Sequence, residues 1–193
     1  MAQLIEYDKK FLIIGSWNAI TYKEISKLIK KNIVWIGINS NRKFSGFIVP
    51  KHYPLHGTEA RLDENGNRVV SSNNTCWFTN LDIFKRHEEI ILYKTYSPEE
   101  YPTYVNYDAI KVSKTKDIPM DYGGAMGVPI TFLNKYNPDQ FEIIGSSRAL
   151  GKPMSEIAHK GTYMQGGTSF YLDNGDSTYR RLYHRLVIER LSS

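Results

Sequence analysis

Phe11-Leu12-Ile13-Ile14-Gly15, then Thr21-Tyr22-Lys23-Glu24, then Ile33-Val34-Trp35-Ile36-Gly37-Ile38: these stretches decide how the 193-residue chain folds. The first is a continuously apolar run closed by glycine, the pattern of a strand covered on both faces. Thr21-x-x-Glu24 has the form of a capping box, in which the hydroxyl and the carboxylate each satisfy a backbone N–H at a helix start. Behind it Tyr22, Ile25, Leu28 and Ile29 fall on one face at helical spacing, with Lys23, Lys27, Lys30 and Lys31 around the rest. The third stretch is a second apolar strand. Strand, helix and strand within about thirty residues predict a βαβ unit with parallel strands and a right-handed crossover.

Beyond residue 40 the pattern changes. Phe44 to Val49 predicts a strand stopped by Pro50. Asn65-Gly66 between two short runs in 60–70 predicts a hairpin. Further strands are expected at Thr75 to Thr79, Glu89 to Tyr96, Ala109 to Val112, Ile130 to Leu133, Phe141 to Gly145 and Arg181 to Arg190. A Pro/Tyr-rich loop is expected over 97–107, irregular chain over 145–167, and a turn at Asn174-Gly175-Asp176. The expected class is mixed α/β (α+β): one βαβ unit, then mostly antiparallel strands and long loops. Residues 1–40 form the first unit and 41–193 the remainder. There is no internal repeat and no low-complexity segment.

Composition narrows the function. Hydrophobic residues make up 41% and charged residues 23%, which suits a folded core and not a disordered chain. No apolar run reaches the roughly 18–20 residues needed to span a bilayer, and residues 1–10 lack the order of a secretion signal. A single cysteine, Cys76, excludes an internal disulfide. The expected location is therefore the cytoplasm. The formal charge is +5, all of it in residues 1–96, where 14 Lys/Arg face 9 Asp/Glu; residues 97–193 hold 11 of each. A basic half with many tyrosines (14 in the chain) suits a polyanion, most simply nucleic acid.

Catalytic patterns are scarce. Gly15-Ser16 and Tyr122-Gly123-Gly124-Ala125-Met126-Gly127 are the two turns that could cradle a nucleotide; the first has only one glycine, and the second leads into a strand and not into a clear helix. His52 and His56 flank Pro54 and cannot share one regular helix. Cys76 has no base beside it in sequence and reads as a buried apolar residue. There is no P-loop and no Gly-x-Ser-x-Gly. No acidic spacing favours a nuclease.

Three stretches carry a family resemblance: Phe11 to Glu24, Val34-Trp35-Ile36-Gly37, and Asp121 to Gly145, centred on Gly127-Val128-Pro129-Ile130-Thr131-Phe132-Leu133-Asn134-Lys135-Tyr136-Asn137-Pro138. Together the chain resembles the EcoRI-type adenine-specific DNA methyltransferases over about residues 2–190. The resemblance implies methyl transfer from S-adenosylmethionine to the exocyclic amine of an adenine flipped out of duplex DNA. It also implies a Rossmann-like catalytic sheet and an Asn-Pro-Pro-Phe-type tetrapeptide that holds the amine. No Asn-Pro-Pro occurs in this chain; Asn137-Pro138 is followed by Asp139 and receives no catalytic role. By the resemblance the tetrapeptide would lie just before Ala2. The chain is thus expected to be the C-terminal portion of such an enzyme, with no catalytic residues, no cofactor-binding residues and no metal ligands of its own. It would bind no S-adenosylmethionine alone, although the complete enzyme would use it. A non-catalytic DNA-binding or adaptor module from the same family is the alternative.

Double-stranded DNA is the expected partner. Asn39, Arg42 and Lys43 follow a strand that should be parallel, where ligands of open α/β sheets gather. Lys51, Arg68, Lys85, Arg86, Lys111, Lys114 and Lys116 are the further candidates to neutralise phosphates. The strand at Phe11 to Gly15 is expected to have lost a neighbour, which favours self-association or pairing with a missing N-terminal half through that edge.

Overall fold

A computed structural model describes residues 1–38, 46–54, 60–70 and 74–191. Asn39, Arg42 and Lys43 lie outside the described residues.

Helix α1 (Ala2–Glu6) precedes β1 (Leu12–Ser16), a 3₁₀ turn (Trp17–Thr21), α2 (Lys23–Lys30) and β2 (Trp35–Ile36). Then come β3 (Phe47–Ile48), β4 (Ala60–Leu62), β5 (Arg68–Val70) and β6 (Thr75–Thr79). A second run holds β7 (Thr103–Tyr104), β8 (Tyr107–Lys111), β9 (Met126–Pro129), β10 (Phe141–Ser146), α3 (Ser147–Leu150), β11 (Tyr171–Asp173), β12 (Tyr179–Arg181) and β13 (Arg185–Arg190). The pairing is mostly antiparallel, in sheets ordered β1-β6-β2, β3-β5-β4, β10-β13-β9-β8-β7 and β11-β12. Only β8 and β9 pair in parallel among these strands.

A strand, a helix and a strand follow in the expected order, but the expected side-by-side parallel pairing of the two strands is not found. β1 and β2 run the same way, but they are not neighbours: β6 lies between them, antiparallel to both. Two strand spacings make about 10 Å, the width of a helix, so α2 can cross above the inserted strand. β6 suits this central position because Cys76, Phe78 and Thr79 are buried. Ile13, Phe78 and Ile36 pair in one row against the core. On the other face Leu12 and Ile14 stay 54% and 42% exposed. Side chains clamp the start of β1: Asn80 Oδ1 accepts from Phe11 N–H at 2.9 Å, and Thr79 Oγ1 donates to the Phe11 carbonyl at 2.6 Å.

The capping box does not form. Thr21 ends the 3₁₀ turn, its hydroxyl donating to the Asn18 carbonyl at 2.9 Å, and Tyr22 caps α2 without a side-chain bond. Two expected strands are also corrected. Glu89 to Tyr96 joins no sheet; it makes one isolated bridge, Lys94 to Pro119. The Gln140 amide takes the place of a strand neighbour, accepting from Ile90 N–H at 2.9 Å and donating to the Ile90 carbonyl at 2.8 Å. Ile130 to Asn134 is a 3₁₀ turn, because Pro129 ends β9 and cannot donate to a ladder. The hairpin at 60–70, the strands at 75–79, 109–112 and 141–145, and the turn at 174–176 stand as read, with Gly66 and Gly175 at φ +73° and +82°.

One apolar core runs through both main sheets, from Phe11, Ile29, Val34 and Phe78 to Ile110, Met126, Phe132, Phe141 and Ile188. A smaller cluster around Phe170 stacks on Tyr104 and Tyr107 at 4.5 and 5.2 Å. Buried Asn106 fastens this corner. Its amide donates to the carbonyls of Lys152 and Ser169 at 2.9 and 2.7 Å, and its oxygen accepts from Tyr171 N–H at 3.1 Å. Asn106→Ala leaves these backbone groups unpaired and is expected to cost about 2–3 kcal/mol. Urea unfolding monitored by tryptophan fluorescence checks it; an unchanged midpoint would contradict this role for Asn106.

Candidate nucleic-acid interface

The turn after β1 of the first sheet and the ends of β8, β9, α3 and β13 around the second meet at a cleft of about 670 Å³. Asn18, Thr21 and Tyr22, just past β1, form one wall. Ser113 after β8 and Pro129 at the end of β9 lie between the walls. Arg148 of α3 and the run Tyr183-His184-Arg185 entering β13 form the other wall. The placement follows from local constraints. β1 ends where Ser16 caps the 3₁₀ turn by accepting from Asn18 N–H at 3.3 Å. α3 is a single turn leaving β10, so Arg148 projects back over the first sheet and donates to Thr21 Oγ1 at 3.2 Å.

Behind the rim lies a buried polar chain. Ser147 Oγ accepts from Arg185 N–H at 3.1 Å and lies 3.4 Å from His184 Nδ1. The His184 Nε2 is buried without a partner. Burial, aided by the Arg148 charge, pushes the His184 pKa down to about 4. Arg185 Nη1 donates to the Val112 carbonyl at 3.3 Å while its Nε is buried without a partner. Desolvation lowers the Arg185 pKa, although a guanidinium remains charged. In front, Tyr183 is 93% exposed and Tyr22 is 53% exposed, so two aromatic rings border the opening. Cations on strand and helix ends beside exposed rings can take a phosphate and a base face together.

The basic residues singled out from sequence fall in different places. Lys111, at the end of β8, has its pKa lowered by burial and by the nearby charges of Arg180 and Arg185. Lys85 and Lys116 share a groove with Glu88 and Glu89. Lys114 is exposed at the start of a 3₁₀ turn. Lys51 and Arg68 belong to the β3-β5-β4 region, where Arg68 Nη1 donates to the Lys51 carbonyl. Arg86 is buried: its guanidinium lies 3.5 Å from the Trp35 ring centroid and donates to Asn32 Oδ1 at 3.1 Å. Tyr136 Oη donates to the same Asn32 oxygen at 2.9 Å, so this arginine braces α2 against the second sheet.

Arg148, Arg180, Tyr183, His184 and Arg185 were missed. The signal was visible in Tyr179-Arg180-Arg181-Leu182-Tyr183-His184-Arg185, a basic and aromatic run whose neutral surroundings in the charge tally concealed it.

The glycine turns are not shaped as cofactor cradles. A Cβ on Gly127 would lie 2.2 Å from Tyr104 Oη, one on Gly124 would lie 2.9 Å from Tyr122 Oη, and one on Gly15 would lie 3.0 Å from the Phe78 ring. These glycines admit the chain's own rings, so the residues present do not fit S-adenosylmethionine there. Cys76 is fully buried, and burial pushes its thiol up to about 12. Among the described residues no group of three or more His, Cys, Asp or Glu is placed to hold a metal ion, and no helix is long and apolar enough to cross a membrane.

The mixed α/β frame thus carries a cationic cleft bordered by two exposed aromatic rings. The chain belongs to the family described as adenine-specific methyltransferase EcoRI, whose model matches residues 1–191. It is similar to the type II methyltransferase M.EcoRI of Escherichia coli, with 56% identity over 84% of this chain and 51% of that protein. It is also similar to M.MgeORF184P of Mycoplasma genitalium, at 40% identity over 73% of this chain and 45% of the relative. M.MpnI of Mycoplasma pneumoniae matches at 38% over the same shares. The chain thus spans about half the length of the curated relatives it matches. No solved structure matches it significantly.

The buried neutral imidazole sets a pH dependence. The folded pKa of His184 lies below its unfolded value, so its contribution is present above about pH 6.5 and lost as pH falls toward about 4. Thermal unfolding of His184→Gln is expected to lose part of the acid destabilisation of the wild type across that window. Parallel pH profiles for the two proteins would contradict it.

Proposed function

We propose that this chain is the DNA-contacting, C-terminal part of an S-adenosylmethionine-dependent DNA adenine-N6 methyltransferase of the restriction–modification type. The family match over residues 1–191 carries the reading. Two further features support it. The cations of the cleft, Arg148 and Arg185, share it with the turn that follows β1, a strand that the reading assigns to the methyltransferase sheet. The sequence contains no Asn-Pro-Pro. On this reading the methyl donor and the amine-holding tetrapeptide belong to the half of the relatives' length that this chain does not match. Residues 1–40 with β6 are the remnant of the Rossmann-like sheet, and the five-stranded sheet and its loops recognise DNA in the cytoplasm. A non-catalytic DNA-binding module remains the second reading, favoured by the glycine turns being filled by Tyr104 and Tyr122.

The test is duplex binding by fluorescence anisotropy, run beside methyl transfer from tritiated S-adenosylmethionine. The chain alone is expected to bind duplex DNA with a steep salt dependence and to transfer no methyl group. Arg148→Ala is expected to weaken binding and to reduce the salt slope by about 1. Absence of duplex binding at low salt, or methylation by the chain alone, would contradict the reading.

The same reading makes β1 an incomplete neighbour. Among the described residues only β6 pairs with it, and Leu12 and Ile14 face outward. An unpaired edge beside exposed apolar side chains favours association with a strand of the remaining half or with a second copy. Ile14→Lys is expected to shift the sedimentation profile toward monomer; identical profiles for both proteins at high concentration would contradict it.

A further inference from the structure

A second cleft, of about 450 Å³, shares no lining residue with the first. Lys111 on β8 and Arg180 on β12 both line it, with Thr103 of β7 and the rings of Tyr96 and Tyr101. Two cations from separate sheets are thus brought to one concavity. Among the described residues neither makes an ion pair, although Asp173 shares the wall; its carboxylate accepts from Gly175 N–H at 2.7 Å and closes the β11–β12 turn. Like charges held together repel, and the partly desolvated surroundings strengthen that repulsion. The folded chain keeps them together although neither is in an ion pair among the described residues. The nearby charge of Arg185, which lines the first cleft, adds to theirs.

We propose that Lys111 and Arg180 form a phosphate-binding subsite, filled by a backbone phosphate of a duplex whose adjoining stretch lies in the first cleft. The inference rests on the DNA-binding reading and extends it. Arg185 lines the first cleft and its charge acts on Lys111 in the second, so the two clefts are coupled electrostatically. Thr103 supplies a hydroxyl on the same wall. A mononucleotide or free phosphate would use the same pair of cations, and the experiment separates these sources.

Duplex DNA and inorganic phosphate are each titrated against the wild type, Lys111→Ala/Arg180→Ala, Lys111→Arg and Arg148→Ala, with thermal unfolding confirming that each is folded. The double variant is expected to bind duplex about tenfold or more weakly and to lose about 0.9 from the salt slope, the value for one phosphate contact. Lys111→Arg is expected to retain both. Loss of inorganic phosphate binding with unchanged duplex binding would support the subsite and assign it to a free phosphate or nucleotide. Unchanged binding of both ligands by the double variant, while Arg148→Ala still weakens duplex binding, would overturn the subsite and leave the DNA-binding reading standing. A wild-type chain that binds neither ligand would overturn both.

Discussion

The packing of both main sheets on one apolar core is the constraint on which the rest depends. Phe78 of β6 is fixed between Ile13 and Ile36, and the same core continues through Phe132, Phe141 and Ile188. The walls of the first cleft come from residues far apart in sequence, Thr21 and Arg148 among them, and a 3.2 Å bond links them across the opening. Lys30 adds a second tie, its Nζ donating to the Ile144 carbonyl at 2.8 Å. Because interiors pack at crystal-like density, the two walls do not drift independently. The cleft is a property of the joined core and not of a loop.

Electrostatics follows from this geometry. Arg148, Arg180, Arg185 and Lys111 gather around the ends of β8 and β13 without a carboxylate paired to any of them among the described residues. The ion pairs that do form lie elsewhere, at His87 with Asp82 and Asp139 and at Lys94 with Glu100. Exposed pairs of that kind contribute little to stability. Unpaired cations held in a concavity cost stability in isolation and gain by meeting a polyanion, whose own counterions are then released. The neutral charge balance of residues 97–193 therefore conceals a local excess: what matters for binding is which charges share a surface.

Much of the frame was legible in the residues. Phe11 to Gly15, the helix behind Thr21, the Asn65-Gly66 hairpin and Phe141 to Gly145 carry short-range signals, either apolar periodicity or turn chemistry, and they formed. The failures have long-range causes. No local pattern shows that β6, forty residues on, would enter between β1 and β2. Ile90-Ile91-Leu92-Tyr93 has every propensity for a strand, yet the Gln140 amide occupies its backbone groups. Pro129 ended a strand that apolar character alone would have continued. The site was less legible than the frame. Net charge pointed to residues 1–96, whereas Arg86 is spent on Trp35 and Asn32, and the exposed cations of the cleft come largely from 148–185. Single residues from α3, β8, β12 and β13 make the site only once the sheets have assembled, so beyond the basic and aromatic run from Tyr179 to Arg185 the sequence carries no trace of it.

The central claim is that the face around Tyr22, Lys111, Arg148 and Tyr183 to Arg185 is where this chain meets DNA. Hydrogen–deuterium exchange of the chain with and without duplex DNA tests it most directly. The account predicts slower exchange in peptides covering 17–23, 110–114, 147–150 and 179–186. Protection confined to the β4–β5 hairpin at 60–70, with those four segments unchanged, would contradict it.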